Sequence, residues 1–185
     1  MRIIAGNYKG KRLNPPKDNR VRPTTDRVKE AIFSMVESYV EIEGSIVCDL
    51  FAGTGNLGIE AISRGAEMTY FSDTSGDSIG LVKENLGICT GSSRNAKILH
   101  GDYTRVLEKL KDEKIKCDVF FVDPPYYLEI QEEAVKKISD IDLLTDEGII
   151  FVEHSKDMKT SEKIGNFTKF KEKKYGIINV TLYKK

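Results

Sequence analysis

Tryptophan is absent from the 185 residues, histidine occurs twice and cysteine three times. Cys48, Cys89 and Cys117 are odd in number, far apart and set among apolar neighbours. That excludes a disulfide framework or a thiolate zinc site, and predicts buried, reduced thiols in a cytoplasmic protein. His100 and His154 stand alone in sequence, so no metal is expected. No apolar run is long enough to span a bilayer, and the N-terminus lacks a signal-peptide stretch, so no membrane partner is expected. Hydrophobic residues at 39% and charged residues at 31% fit one ordinary globular domain, expected to be a monomer.

Net charge is also lacking, but its distribution is uneven. Residues 1–27 hold eight Lys/Arg against two acids, residues 156–185 nine against three, and the middle twelve against twenty-four. Basic ends on an acidic body suggest a phosphate-rich partner. The N-terminal run (Lys9, Lys11, Arg12, Arg20, Arg22) is punctuated by Gly and Pro and reads as an RNA-gripping arm over 1–25, ahead of a domain over 26–185. The C-terminal lysines (Lys169, Lys171, Lys173, Lys174) read equally well as solvated surface.

Residues 2–14 alternate loosely around Asn7–Gly10, which predicts a small β-hairpin. Thr24 or Thr25 can cap a helix over 26–39, with Val28, Ile32, Phe33 and Val36 as its apolar face. Strands are then predicted at 45–51, 67–72, 96–100, 117–122 and 148–153, separated by helices at 57–64, 77–88, 103–111 and 130–139. Residues 167–185 read as two strands turning near Tyr175-Gly176. The alternation predicts an α/β fold with a mostly parallel sheet, helices on both faces, and an antiparallel C-terminal hairpin edge.

Two sites carry chemistry. Asp49-Leu50-Phe51-Ala52-Gly53-Thr54-Gly55-Asn56-Leu57-Gly58 joins the first of those strands to a helix and contains G-x-G-x-x-G. With Asp73 near the end of the second strand, this pattern fits any ligand containing adenosine. A carboxylate at Asp49 would repel a diphosphate but suits the ammonium and sulfonium of S-adenosylmethionine; its structural reading is a cap on the turn. The second site is Asp123-Pro124-Pro125-Tyr126, directly after the apolar strand at 117–122. It resembles the strand-four motif Asp/Asn-Pro-Pro-aromatic of class I methyltransferases that modify planar amines. An exocyclic amine is a weak nucleophile, because its lone pair is delocalised into the ring. The Asp123 carboxylate and the Pro124 carbonyl can accept its two N–H groups and turn the lone pair outward, and Tyr126 can stack on the extruded base.

The resemblance then narrows. Arg22-Pro23-Thr24-Thr25-Asp26-Arg27-Val28-Lys29-Glu30-Ala31-Ile32-Phe33, the 49–55 turn and the 57–66 segment resemble the RsmD family. Met1–Gly6, Tyr175-Gly176 and Tyr183–Lys185 are also similar. The resemblance implies a Rossmann-like class I fold and methylation of guanine N2 in bacterial 16S rRNA, either free or in an assembling small ribosomal subunit. It implies a ribose contact at Asp73 and an adenine-facing role for Asp102, which reads equally well as a helix N-cap. The family's second strand usually ends with an acid followed two residues later by Asp; here Asp73 precedes Thr74-Ser75. Glu153-His154 reads as strand-end structure. The alternatives are an adenine N6 methyltransferase, a protein glutamine enzyme (disfavoured by Asp rather than Asn at 123), an NAD-binding oxidoreductase, and a binding module without catalysis.

Overall fold

The computed structural model describes residues 1–16, 25–89, 92–125, 128–176 and 178–185. Five parallel strands, β1 (Ile46–Asp49), β2 (Met68–Asp73), β3 (Ala96–His100), β4 (Cys117–Val122) and β5 (Leu144–Ser155), alternate with helices. These are α1 (Asp26–Val36), α2 (Asn56–Ser63), α3 (Gly76–Ile88), α4 (Tyr103–Asp112) and α5 (Gln131–Asp140). Three antiparallel strands, β6 (Lys163–Ile164), β7 (Phe167–Tyr175) and β8 (Ile178–Lys184), complete a sheet of order β3-β2-β1-β4-β5-β8-β7-β6. The sheet therefore has a three-stranded antiparallel edge, and the two-residue β6 was too short to show in the sequence pattern.

The strands sort their side chains by parity. Val47, Val119, Phe121, Phe151, Val180 and Leu182 face α1 and the near side of α2. Cys48, Phe120, Val122, Ile150 and Val152 face α4 and α5. Both faces of the parallel strands are thus dry, as their near-continuous apolar sequences require. Cys48, Cys89 and Cys117 are free and buried. The hydrogen bond to Cys117, followed by burial, pushes the Cys48 thiol up.

Several boundaries differ from the sequence expectation for local reasons. β5 begins at Leu144, four residues early, because its polar Thr145–Gly148 stretch is an irregular passage where the β4 register shifts. Gly148 is required there, since a Cβ would lie 2.9 Å from the Asp118 carbonyl oxygen. α1 is capped by Thr25, whose Oγ1 accepts from Val28 N, and ends at Val36 rather than residue 39. The predicted N-terminal hairpin has no strands. It is a 3-10 turn at Gly6–Tyr8 closed by one antiparallel bridge between Arg2 and Arg12.

This N-terminal segment is built into the fold. Ile3 and Leu13 are buried against α2 and α3. Gly6 passes so close to α2 that a Cβ would sit 1.7 Å from the Ser63 carbonyl oxygen. Glu60, on α2 and 0% exposed, accepts from the backbone N–H groups of Ile4 and Ala5 at 2.9 and 3.0 Å. It also pairs with Lys29 of α1 at 2.9 Å and with Arg64 at 3.1 Å. Lys29 is 1% exposed and donates in addition to the Arg2 carbonyl and to Asn56 Oδ1. Burial pulls its ammonium below the usual range, against the opposing pull of Glu60.

Removing one partner of a buried, fully hydrogen-bonded pair strands the other charge. Lys29→Ala should therefore cost about 3–5 kcal/mol of unfolding free energy, measured by urea titration. A cost of roughly 1 kcal/mol or less, typical of exposed pairs, would mean that the network does not hold the arm to the domain.

Candidate functional site

In chain order the sheet grows outward from β1 through β2 to β3, then returns to the other side of β1 with β4. That reversal opens a crevice outside the carboxyl ends of β1 and β4, where open α/β sheets bind ligands. Asp49 ends β1 and Asp123 directly follows β4. Register fixes their orientation. Asp49 pairs with Phe121 and Phe121 with Phe151, so Asp49, Asp123 and Glu153 all lie on the α1 side of three neighbouring strands.

Acids crowded in this way raise one another's pKa. Burial pushes the Asp49 carboxyl up to about 7, with Asp73 adding to the rise and the Gly58 N–H opposing it. Asp123 is raised well above the carboxylate range by burial, then by Glu153 and Asp49. Neither Asp49 nor Asp123 forms an ion pair with a described residue, and Asp123 accepts no hydrogen bond from one. The arrangement favours a cation.

The glycine turn is shaped by these acids. Gly53 and Gly55 take φ of 53° and 76°, which side-chain-bearing residues rarely adopt. Gly58 packs face-on against β2, where a Cβ would lie 2.3 Å from Phe71 Cε1. Gly58 N–H donates to Asp49 Oδ2 at 2.9 Å, and Gly53 N–H donates to Asp73 Oδ2 at 2.9 Å. Two N–H groups that a diphosphate would need are therefore turned to carboxylates.

Asp73 Oδ1 also accepts from Ser75 N at 2.8 Å, and Ser75 caps α3. The position where the family carries a second acid thus serves a helix cap here. Asp102 is the N-cap of α4, with Oδ1 accepting from Thr104 N and Thr104 Oγ1. Phe51 and Tyr103 meet beside it in a tilted pair with centroids 5.5 Å apart. Pro124 is buried, and its carbonyl accepts no hydrogen bond from a described residue. Tyr126, Arg20 and Arg22 lie outside the described residues.

Two expectations separate in space. Glu153 joins the acid cluster, whereas His154 points to the opposite face, where its Nε2 lies 3.0 Å from Thr181 Oγ1 and its Nδ1 3.0 Å from the Ser155 carbonyl. They are not a facing acid–base pair. Lys9 and Lys11 sit at the far end of the sheet: Tyr8 N–H donates to Ser63 Oγ at the close of α2, and Lys11 Nζ donates to the Ile88 carbonyl at the close of α3. Arg12 is exposed at the bridge to Arg2. The structure does not bring Lys9 and Lys11 to Asp123, whereas Arg2, the bridge partner of Arg12, is tied through Lys29 to Asn56 at the start of α2.

Asn85 escaped the sequence reading. It is 0% exposed on α3, donates to the carbonyls of Thr54 and Asn14, and accepts from Asn14 N at 2.7 Å. It ties the N-terminal segment to the middle of the glycine turn. Lys29 does the same through Asn56, the first residue of α2. Their only sequence signal was polarity inside helices that bury apolar faces.

A family model described as "Conserved hypothetical protein 95" matches residues 1–184. Ribosomal RNA small subunit methyltransferase D of Haemophilus influenzae is 35% identical over 99% of this chain and 93% of its own length. The chain belongs to the RsmD family. A solved Escherichia coli candidate methyltransferase, YhhF, superposes with TM-score 0.83 at 30% identity, over 99% of this chain and 96% of that one. A candidate methyltransferase, SMU.776, solved in complex with SAH, shares the fold at TM-score 0.69 and 14% identity, over 85% of this chain and 48% of that one. The chain thus has a Rossmann-like class I methyltransferase fold.

With an Asp49 carboxyl near 7 against an unfolded value of about 3.9, the folded state holds its proton more tightly, and this contribution to stability, fully present below about pH 3.9, is lost progressively as pH rises from there to about 7. Asp49→Asn should therefore raise the melting temperature at about pH 8, by about 2–4 °C per kcal/mol regained, and leave it nearly unchanged at about pH 3.5. An equal shift at both pH values would show that Asp49 ionises like an exposed acid.

Proposed function

We propose that this chain is an S-adenosylmethionine-dependent ribosomal RNA methyltransferase whose acceptor is the exocyclic N2 amine of a guanine in 16S rRNA. The observation that carries the reading is Asp123: a desolvated carboxylate beside the uncommitted carbonyl of Pro124, in the crevice that the Asp49 turn also lines. Membership of a family whose relatives are named as rRNA methyltransferases supports the ribosomal substrate.

The donor set fits the cofactor. Asp49 and the acids beside it favour a ligand with cationic groups, while Asp73 and Asp102, at the ends of β2 and β3, can also accept from ribose hydroxyls and an adenine amine. S-adenosylmethionine would supply an electrophilic methyl group on a sulfonium, already a good leaving group. The chain's own task is then to orient the acceptor. Asp123 and the Pro124 carbonyl take the two amine protons in hydrogen bonds, the prolines fix their direction, and Tyr126 is the stacking residue. Positive charge beside the cluster draws its carboxyls back toward ionisation, so Asp123 becomes an acceptor when the crevice is charged. An NAD-binding reading leaves Asp123–Tyr126 without a role and sets a diphosphate against Asp49 and Asp73.

Asp123→Ala should lower single-turnover methyl transfer by about a hundredfold or more while leaving cofactor affinity close to wild type. Nucleoside mass spectrometry of the product distinguishes N2-methylguanine from N6-methyladenine, and the latter would refute the guanine assignment. Affinity for S-adenosylmethionine should tighten as pH rises to about 7, by at most about tenfold per unit, and level off above, with proton release on binding. Calorimetry in buffers of different ionisation enthalpy reads both. A pH-independent affinity would remove Asp49 from the cation site.

A further inference from the structure

Lys9 and Lys11 lie at the end of the sheet away from Asp123, which leaves the question of where an RNA would be held. The C-terminal strands offer a basic surface at the right end. β8 runs antiparallel to β5, and β7 antiparallel to β8, so the tip at Tyr175-Gly176 lies level with Ser155 at the carboxyl end of β5. Glu153 pairs with Val180 and Val180 with Lys173, which places Lys173 in the same row and on the same face as the acid cluster. With strands about 4.8 Å apart, its backbone is roughly 10 Å from that of Glu153 and roughly 15 Å from the line of β4.

Lys171 and Lys184 share this face through their registers with Leu182 and Thr168. All three lysines are exposed, and none pairs with a carboxylate among the described residues. Their neighbours differ: Lys169 is taken by Glu162 and Glu172, and Lys185 by Asp142 and Asp146. The free charges are interleaved with rings. Lys173 lies 5.2 Å over Tyr175, Lys184 lies 5.2 Å over Phe170, and Phe170 meets Tyr39 edge-on at 4.9 Å. Tyr39 is 45% exposed, an unusual exposure for a large ring in this chain. A hydrogen bond from Tyr175 Oη to the Ala31 carbonyl fixes the strands against α1.

We propose that the Lys171–Lys173–Lys184 face of β7 and β8, with Tyr39 at its margin, is the RNA-docking surface. It holds phosphates flanking the target nucleotide and offers a ring to an unpaired base. Unpaired cations on a rigid sheet, alternating with aromatic faces, form the general platform for single-stranded RNA. This proposal rests on the RNA reading above and names where that substrate docks.

The test compares wild type, K171A/K173A/K184A and K9A for affinity to unmodified 16S rRNA transcript across a salt series. The first variant should reduce the slope of log affinity against log salt by about 0.7–0.9 for each lysine that contacts phosphate. K9A should keep the wild-type slope. S-adenosylmethionine affinity and melting temperature should stay at wild-type values in both, and glutamine versions replace the alanine ones if melting falls. An unchanged slope in the K171A/K173A/K184A variant, while wild type binds RNA, overturns the docking surface. Wild-type protein that binds no RNA at low salt overturns the RNA reading itself, and the docking surface with it.

Discussion

Glu60 has no access to water, and a buried carboxylate survives only if its oxygens are saturated by donors. Here those donors are the backbone of residues 4 and 5, the Lys29 ammonium and the Arg64 guanidinium. Each comes from a different part of the chain, so one charge fixes three placements together. The N-terminal segment lies along α2, α1 crosses to bring Lys29 inward, and Lys29 in turn holds Asn56 at the start of α2. The glycine turn is therefore braced from outside the sheet as well as from β1 and β2. Asn85 adds a second brace at Thr54.

The crevice follows the opposite electrostatic rule. At Glu60 every negative oxygen is matched, whereas Asp49 and Asp123 lie in desolvated surroundings with no described cation. The folded chain stores unfavourable free energy there, and a cationic ligand relieves it. Asp49 turns the Gly58 N–H inward and Asp73 the Gly53 N–H, so the turn keeps its dinucleotide-like outline while losing the features a diphosphate needs. A matched acid network beside the desolvated Asp49 and Asp123 gives a braced wall next to a site poised for charge.

The division of the basic ends is equally consequential. Their compositions are similar, yet the fold places Lys9 and Lys11 of one and Lys171 and Lys173 of the other at opposite ends of the sheet. Lys11 donates its ammonium to the Ile88 carbonyl near the carboxyl ends of α2 and α3, whereas Lys171 and Lys173 of β7 stand level with Asp49 and Glu153.

The sequence by itself determined the elements whose signal is local. The parallel strands are short apolar runs, the glycine turn needs its φ values, and Asp-Pro-Pro directly follows a buried strand; each is legible without knowledge of its neighbours. Motif identity also carried the family resemblance. What only the tertiary structure decided depends on partners distant along the chain. Lys29 had no assigned role in the helix until Glu60, 31 residues away, supplied its counter-charge. Asn85 had no role until Thr54 and Asn14 met it. Asp49, Asp123 and Glu153 became one cluster through strand order and side-chain parity, and parity also separated Glu153 from His154. A charge in sequence has a sign but no surroundings, and whether it is buried, paired or presented to a ligand is fixed only when non-local strands and helices come together.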